Sequence, residues 1–85
     1  MKLDFQIRER RGYLMERREE AKRLRAELEG LRGSIVMLAG NHLDVRHVEG
    51  EQLAAMALRF GAVQTQYKGV LEDIENTERE LGTAV

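Results

Sequence analysis

The chain has 85 residues, which is enough for one small domain with a modest core. It contains no Cys, so disulfides and thiolate metal sites are excluded, and its net charge of −1 gives no overall attraction to nucleic acid or to an anionic membrane. Because 42% of the residues are hydrophobic and regularly spaced, and Pro is absent, the composition is typical of helices and coiled coils rather than of a disordered chain.

The first predicted helix, helix 1, covers about residues 4–39. Positions spaced alternately four and three residues apart along helix 1 are all apolar except for two arginines. This spacing is typical of the a/d seam of a coiled coil. Asp4 is a candidate N-cap and Gly40 a candidate C-terminal stop. The stretch 30–34, with two glycines, leaves open whether helix 1 is continuous. The seam positions are Leu3, Ile7, Arg10, Leu14, Arg17, Ala21, Leu24, Leu28, Leu31, Ile35 and Leu38.

A turn at about residues 40–44 and a second helix, helix 2, at about residues 45–82 follow. Asn41 or Asp44 is the candidate cap of helix 2, and Gly82 its candidate end. So short a connection requires the helices to run antiparallel. The sequence therefore predicts an all-α fold, an antiparallel coiled-coil hairpin that forms a single domain over residues 1–85. The seam of helix 2 is Leu53, Met56, Phe60, Val63, Tyr67, Val70, Ile74, Thr77 and Leu81.

The pairing of the two seams follows from the position of the turn. If the turn centres on His42, residues whose numbers sum to about 84, to within one helical turn, face one another, which pairs Leu24 with Phe60 and Arg17 with Tyr67. In that arrangement the Arg17 guanidinium is expected to stack on the Tyr67 ring. The same pairing sets the arginines near the start of helix 1 beside the acidic residues at the end of helix 2, which favours the antiparallel orientation.

Helix 2 also carries an apolar surface beyond its seam. The stretch 52–67 has one charged residue, Arg59, so we expect the helix to be buried on more than one side. The simplest cover is a second copy, which predicts a homodimer in the form of a four-helix bundle, most buried in the half nearest the turn. Another protein is an expected second partner. The predicted interface residues are Val36, Met37, Ala54, Ala55, Leu58, Gly61, Ala62 and Thr65.

No residue set predicts catalysis, a metal or a cofactor. His42, Asp44, His47 and Glu49 near the turn match no zinc spacing, and solvated side chains explain them better. The glycines of stretch 30–34 lack the lysine and the preceding strand of a phosphate-binding loop. With a single serine, Ser34, and no nucleophile–base–acid set, we expect a protein that is not an enzyme.

A basic face on helix 1 supports an alternative, a nucleic-acid-binding or transcription-associated protein. Glutamates interleave with the basic residues at helical spacing, and this pattern is more typical of a salt-bridged exposed surface. Nucleic acid is therefore the disfavoured partner. The contacts of this alternative would be Arg8, Arg11, Arg18, Lys22 and Arg25.

These observations together predict a non-enzymatic protein–protein interaction module, that is, a scaffold, an adaptor or an assembly chaperone acting through coiled-coil packing. We expect it in the cytoplasm, because the chain lacks thiols and its longest uncharged run in helix 1, residues 33–43, is far shorter than the ~20 residues of a membrane span.

Overall fold

Two long helices packed side by side form the whole structure, a computed structural model that describes residues 2–40 and 42–84. Helix α1 spans Lys2–Ala39, a single turn of 3₁₀ helix spans Val45–His47, and helix α2 spans Gly50–Ala84. The molecule measures 66 × 15 × 14 Å. The predicted all-α hairpin is confirmed. Over the described residues, neither helix has an apolar stretch long enough to cross a bilayer.

Helix α1 is continuous through Gly30 and Gly33, so the glycine-containing stretch does not break it. It begins at Lys2, which places Asp4 in the first turn, where a carboxylate favours the helix dipole, and not at the N-cap. Gly40 ends the helix as predicted. Its φ is +25°, and its N–H donates to the Val36 carbonyl over 3.1 Å. A side chain here would meet the Met37 carbonyl oxygen at 3.2 Å, so glycine is required.

The connection is longer than predicted, because α2 begins at Gly50 and not near residue 45. Asp44 accepts a hydrogen bond from the Arg46 N–H over 2.9 Å, and this caps the 3₁₀ turn at Val45–His47 instead of α2. Val48 then takes an extended conformation, and the first helical bond of α2 runs from the Leu53 N–H to the Glu49 carbonyl, 2.9 Å. The other predicted cap, Asn41, lies outside the described residues.

The helices pair close to the predicted register. Residue numbers sum to 86 in two cross-helix hydrogen bonds, Tyr13 with Asp73 and Arg59 with Glu27, which is within one helical turn of the predicted 84. The predicted stacking of Arg17 on Tyr67 is wrong. The Arg17 guanidinium carbon lies 5.7 Å from the ring centre of Tyr13, one turn earlier in the same helix. An i, i+4 pair within one helix needs no correct pairing between helices, which explains why this contact forms.

The buried core is a thin row of side chains between the helices. We define the open half as residues 2–28 and 63–84, and the turn half as residues 29–40 and 42–62. All five buried apolar side chains of the described residues lie in the open half, whereas the seam of the turn half is only half-buried. The five are Leu14, Leu24, Leu28, Val63 and Val70.

Candidate interaction surfaces

The outer face of α2 is an uncharged strip. Leu58 lies two residues, or about 200° of helix rotation, from both of its seam neighbours, Met56 and Phe60, so it points away from α1. Thr65, one heptad later, has the same relation to its own seam neighbours. Smaller side chains continue the strip. We call the following exposed residues the α2 outer face: Ala54, Ala55, Leu58, Gly61, Ala62, Thr65 and Gly69.

The chemistry of the α2 outer face suits contact with another helix. Leu58 is 77% exposed, and the one hydroxyl of the strip, on Thr65, donates to the Gly61 carbonyl of its own helix over 3.0 Å. That bond uses the polar hydrogen, so the strip presents no unpaired side-chain donor. Around Gly61 and Gly69, a Cβ atom would meet nothing within 4 Å, so the hairpin itself does not require glycine at either position.

Val36 and Met37 form a second surface, on α1. They are 64% and 78% exposed, and both lie between the seam positions Ile35 and Leu38. Because the two seams face each other, the outer sides of α1 and α2 point in opposite directions. The eight predicted interface residues therefore divide between two surfaces, and one flat contact cannot contain both Met37 and Leu58.

The basic residues of α1 are only partly neutralised. Arg18 lies 3.8 Å from Glu78 and Lys22 lies 3.4 Å from Glu19, whereas Arg8, Arg11 and Arg25 have no carboxylate within 4 Å among the described residues. Helix α2 neutralises one further arginine, Arg10, whose Nε lies 3.3 Å from Glu80. The predicted nucleic-acid contacts therefore include three arginines that are free of ion pairs in this part of the chain.

The connection between the helices contains the histidines and carboxylates that the sequence analysis considered as metal ligands. Over the described residues there is no group of three His, Asp or Glu side chains that could hold a metal ion. The Asp44 carboxylate instead accepts hydrogen bonds from the guanidinium and from the backbone N–H of Arg46. These hydrogen bonds hold the pKa of the Asp44 carboxyl below its usual value. His42 and His47 are exposed beside this pair.

Two shallow grooves run between the helices, one on each flank. The larger, about 770 Å³, lies at the open end and is lined by Tyr13 and several carboxylates. Tyr13 donates to the Asp73 carboxylate, which raises the pKa of the phenol above its ordinary value of 10.0. A raised pKa makes the phenol a weaker acid near neutral pH, which is the opposite of what acid–base catalysis needs. Neither groove encloses a ligand as catalytic pockets do.

Two polar contacts at the open half could not be found by pattern alone. The Tyr13–Asp73 hydrogen bond joins positions outside the a/d seam, and the sequence signal for it is only that both flank the seam. Arg17 occupies a seam position with its guanidinium over the ring of Tyr13, and its Nε atom is buried without a hydrogen-bond partner among the described residues.

Comparison with family models, with curated proteins and with solved structures gives no match for this chain.

Proposed function

We propose that this chain is a non-enzymatic protein–protein interaction module that works as a homodimer. Two hairpins pair their α2 outer faces into a four-helix bundle. The observation that carries the proposal is the uncharged, exposed strip on α2, centred on Leu58 at 77% exposure. Contiguous apolar surface of this kind, rimmed by polar residues, is typical of a protein contact site. The absence of Cys suits a cytoplasmic setting.

The size of the core supports the need for a partner. Five buried apolar side chains must hold together helices of 38 and 35 residues. Below about 70–80 residues a single core rarely supplies more than about 3–5 kcal/mol of stability. This chain, at 85 residues, is only slightly longer. A second hairpin adds buried apolar surface at roughly 25 cal/mol per Å², and it adds most where the hairpin's own seam is only half-buried.

The small residues of the strip favour a close crossing of two α2 helices. Gly61 and Ala62 lie at its centre, and without larger side chains there the two backbones can approach more closely than the usual 8–10 Å between helix axes. Each interior glycine costs up to about 1 kcal/mol relative to alanine, and nothing in the hairpin compensates for that cost at Gly61. Contact with a second α2 would compensate for it.

The α1 surface supports a role as a scaffold or adaptor. Val36 and Met37 point away from α2, so they stay exposed when two α2 outer faces pair. A dimer would then present two such apolar sites to another protein, one on each outer side. An assembly chaperone would use the same arrangement to hold exposed helices of a client protein.

Sedimentation equilibrium tests the dimer. We expect twice the 9.8 kDa mass of the chain at micromolar concentration, and a monomer for Leu58→Glu. Met15→Glu is the matched control, since Met15 is 67% exposed on α1 in the open half and away from both apolar surfaces. Circular dichroism should show both variants to be helical. A monomeric wild type, or equal loss of the dimer in both variants, would contradict the proposal.

The alternative function rests on one observation, that Arg8, Arg11 and Arg25 make no ion pair within the described residues. If they contact phosphates, binding should fall steeply with salt. We expect binding to labelled DNA or RNA oligonucleotides to be weaker than micromolar at about 0.15 M salt, the range of non-specific binding. Tight binding by fluorescence anisotropy, lost in Arg8→Glu/Arg11→Glu, would favour this alternative over the interaction module.

A further inference from the structure

The two flanks of the hairpin carry opposite charge. On α1, arginines occupy four successive e positions of the heptad, residues 11, 18, 25 and 32, so they form one row with about 10.5 Å between members. Acidic residues line the other flank, at the c and g positions of α1 and the g position of α2. We call the basic flank Arg11, Arg18, Arg25, Arg32 and Lys68, and the acidic flank Glu9, Glu16, Glu20, Glu27, Asp73 and Glu80.

The grooves place these rows on opposite flanks. Arg25, Arg32 and Lys68 line one groove, of about 390 Å³, together with Glu29. Glu9, Glu16 and Glu80 line the other, together with Arg10. Cross-helix contacts agree with this division. Tyr13 with Asp73 and Glu27 with Arg59 join g positions on the acidic flank, whereas Arg18 with Glu78 joins e positions on the basic flank.

The hairpin neutralises its own basic flank only in part, through the ion pairs of Arg18 with Glu78 and of Arg32 with Glu29. In an antiparallel pair the e positions of one helix lie beside the e positions of the other, where opposite charges would normally meet. Here α2 offers Ala57, Gln64 and Leu71 at its e positions, and only Glu78 is acidic. Arg11, Arg25 and Lys68 accordingly make no salt bridge within 4 Å among residues 2–40 and 42–84, and neither do Glu9 and Glu16 on the acidic flank.

A second copy of the chain carries the complement of each flank in the right place. The free arginines at 11 and 25 and the acidic residues at 9, 16, 20 and 27 occupy the same stretch of α1. Two hairpins stacked flank on flank, without a shift along their axis, would therefore bring the two rows opposite each other. Net charge near zero means that no overall repulsion opposes the stacking.

Each groove also has an apolar strip between its charged rims. The basic groove is floored by Leu28, Phe60 and Tyr67, with Leu71 42% exposed at its edge. The acidic groove contains Ile7, Tyr13 and Leu81. Because the two grooves lie at different heights on α1, at residues 25–32 and 6–16, they do not face each other in the unshifted stack, and the charged rows alone set its alignment.

We propose that the basic flank of one hairpin docks on the acidic flank of another copy of this chain. The contact is heterologous, because each copy uses two different surfaces, so it extends into a stack or closes into a ring. It leaves the α2 outer face free, since the flanks lie at roughly right angles to that face. It is separate from the proposed dimer and requires neither its presence nor its absence.

The test uses the full chain carrying Leu58→Glu, so that the proposed dimer does not contribute. Sedimentation velocity at about 0.02 M and 0.5 M salt reports assemblies held by charge, since screening at high salt removes them. We expect species larger than a monomer at low salt only. Arg11→Glu/Arg25→Glu and Glu9→Lys/Glu16→Lys should each weaken association at least tenfold. An equimolar mixture of the two variants should restore it, because each reversed flank then meets its complement.

One control variant keeps the outcome decisive. Arg46→Glu/Arg79→Glu has the same net charge as the basic-flank variant, but Arg46 lies in the connection and Arg79 on the outer side of α2, so association should persist. Absence of large species at low salt, failure of the mixture to recover them, or equal loss in the control would overturn the proposal. Binding of a labelled polyglutamate peptide by an otherwise monomeric chain, lost in Arg11→Glu/Arg25→Glu, would assign the basic flank to an acidic partner instead of a second copy.

Discussion

The open half and the turn half of this hairpin are built from the same heptads, yet they are completed differently. The open half buries its five leucine and valine side chains and links its helices through Tyr13–Asp73, Arg10–Glu80 and Arg18–Glu78. The turn half has one link to α1, from Arg59 to Glu27 at its border. Its seam is half-buried, and Val36, Met37 and Leu58 are exposed.

The difference indicates which half depends on other molecules. Apolar surface left in water costs roughly 25 cal/mol per Å². The open half also exposes Phe5 and Met15, but its seam holds five buried apolar side chains and the seam of the turn half holds none, so the turn half gains more from a partner. The exposed polar links of the open half add only a little to the packing of that seam. We infer that the open half defines the hairpin, and that the turn half is where association adds stability.

The largest expected effect comes from truncating the core of the open half. Leu24 is 1% exposed, so Leu24→Ala should lower the free energy of unfolding by about 2–5 kcal/mol, through lost burial and the cavity left behind. Leu31→Ala removes the same atoms from a half-buried seam position of the turn half and should cost less. Urea unfolding followed by circular dichroism, on the Leu58→Glu monomer, measures both. Equal losses would show that the two halves do not differ.

The hairpin was accessible from the sequence, and the pairing of its helices was accessible to within one turn. Unbroken 3–4 spacing in both helices and a short connection predict a hairpin, because packing the two seams on each other buries both within one chain. Gly40 was identifiable as a stop because glycine alone tolerates positive φ without strain. The predicted connection was too short because Asp44 can cap either an α-helix or a 3₁₀ turn, and its bond to Arg46 selects the 3₁₀ turn. The start of α2 accordingly lies five residues later than predicted.

Of the candidate surfaces, the exposed apolar side chains were predictable from the sequence, whereas the arrangement of charge was not. Exposure of Leu58 follows once Met56 and Phe60 are assigned to the seam, and rotation per residue then also separates Leu58 from Met37. Charge was harder to interpret. Counting acidic and basic residues along α1 suggests a neutralised surface, but the structure divides them between two flanks, where helix neighbours such as Arg23 and Glu20 pair while Arg11 and Arg25 do not.

The next largest effect distinguishes two glycines of the turn half, Gly33 and Gly61. Gly33→Ala and Gly61→Ala each add a methyl group that meets nothing within 4 Å in the hairpin, so each should stabilise its helix by up to about 1 kcal/mol. The two should differ in the dimer. Gly61 lies at the centre of the α2 outer face, so its added methyl should weaken dimerisation, and Gly33 on α1 should not affect it. Thermal melts of the monomer and sedimentation of the dimer measure the two effects, and identical dimer affinity would argue against close α2 packing.

A smaller effect concerns the polar links of the open half. Because the pKa of Tyr13 is raised by its hydrogen bond to Asp73, the stabilisation it provides is present below pH 10, the ordinary value, and is lost as pH rises through the higher folded pKa. Spectrophotometric titration of Tyr67→Phe, which leaves Tyr13 as the one tyrosine, should give a pKa above 10. Asp73→Asn in the same background should lower it. An unchanged titration would mean that the bond does not form in solution.

The smallest expected effect is at the border of the two halves, where Arg59 meets Glu27 over 2.5 Å. The Arg59 side chain is 60% exposed, and exposed ion pairs contribute only about 0.2–1 kcal/mol, because solvent screens them and both side chains lose freedom. We expect Arg59→Gln and Glu27→Gln to show a coupling within that range in a double-mutant cycle, decreasing with salt. Glu27 also lies 3.8 Å from Arg23, so the Glu27→Gln single variant should lose more than Arg59→Gln. A coupling above about 2 kcal/mol, insensitive to salt, would instead indicate a desolvated pair. In that case the Arg59–Glu27 pair would itself hold the two helices together at the border of the turn half. The difference in stability between the two halves would then be smaller than the exposure of Leu58 and Met37 suggests.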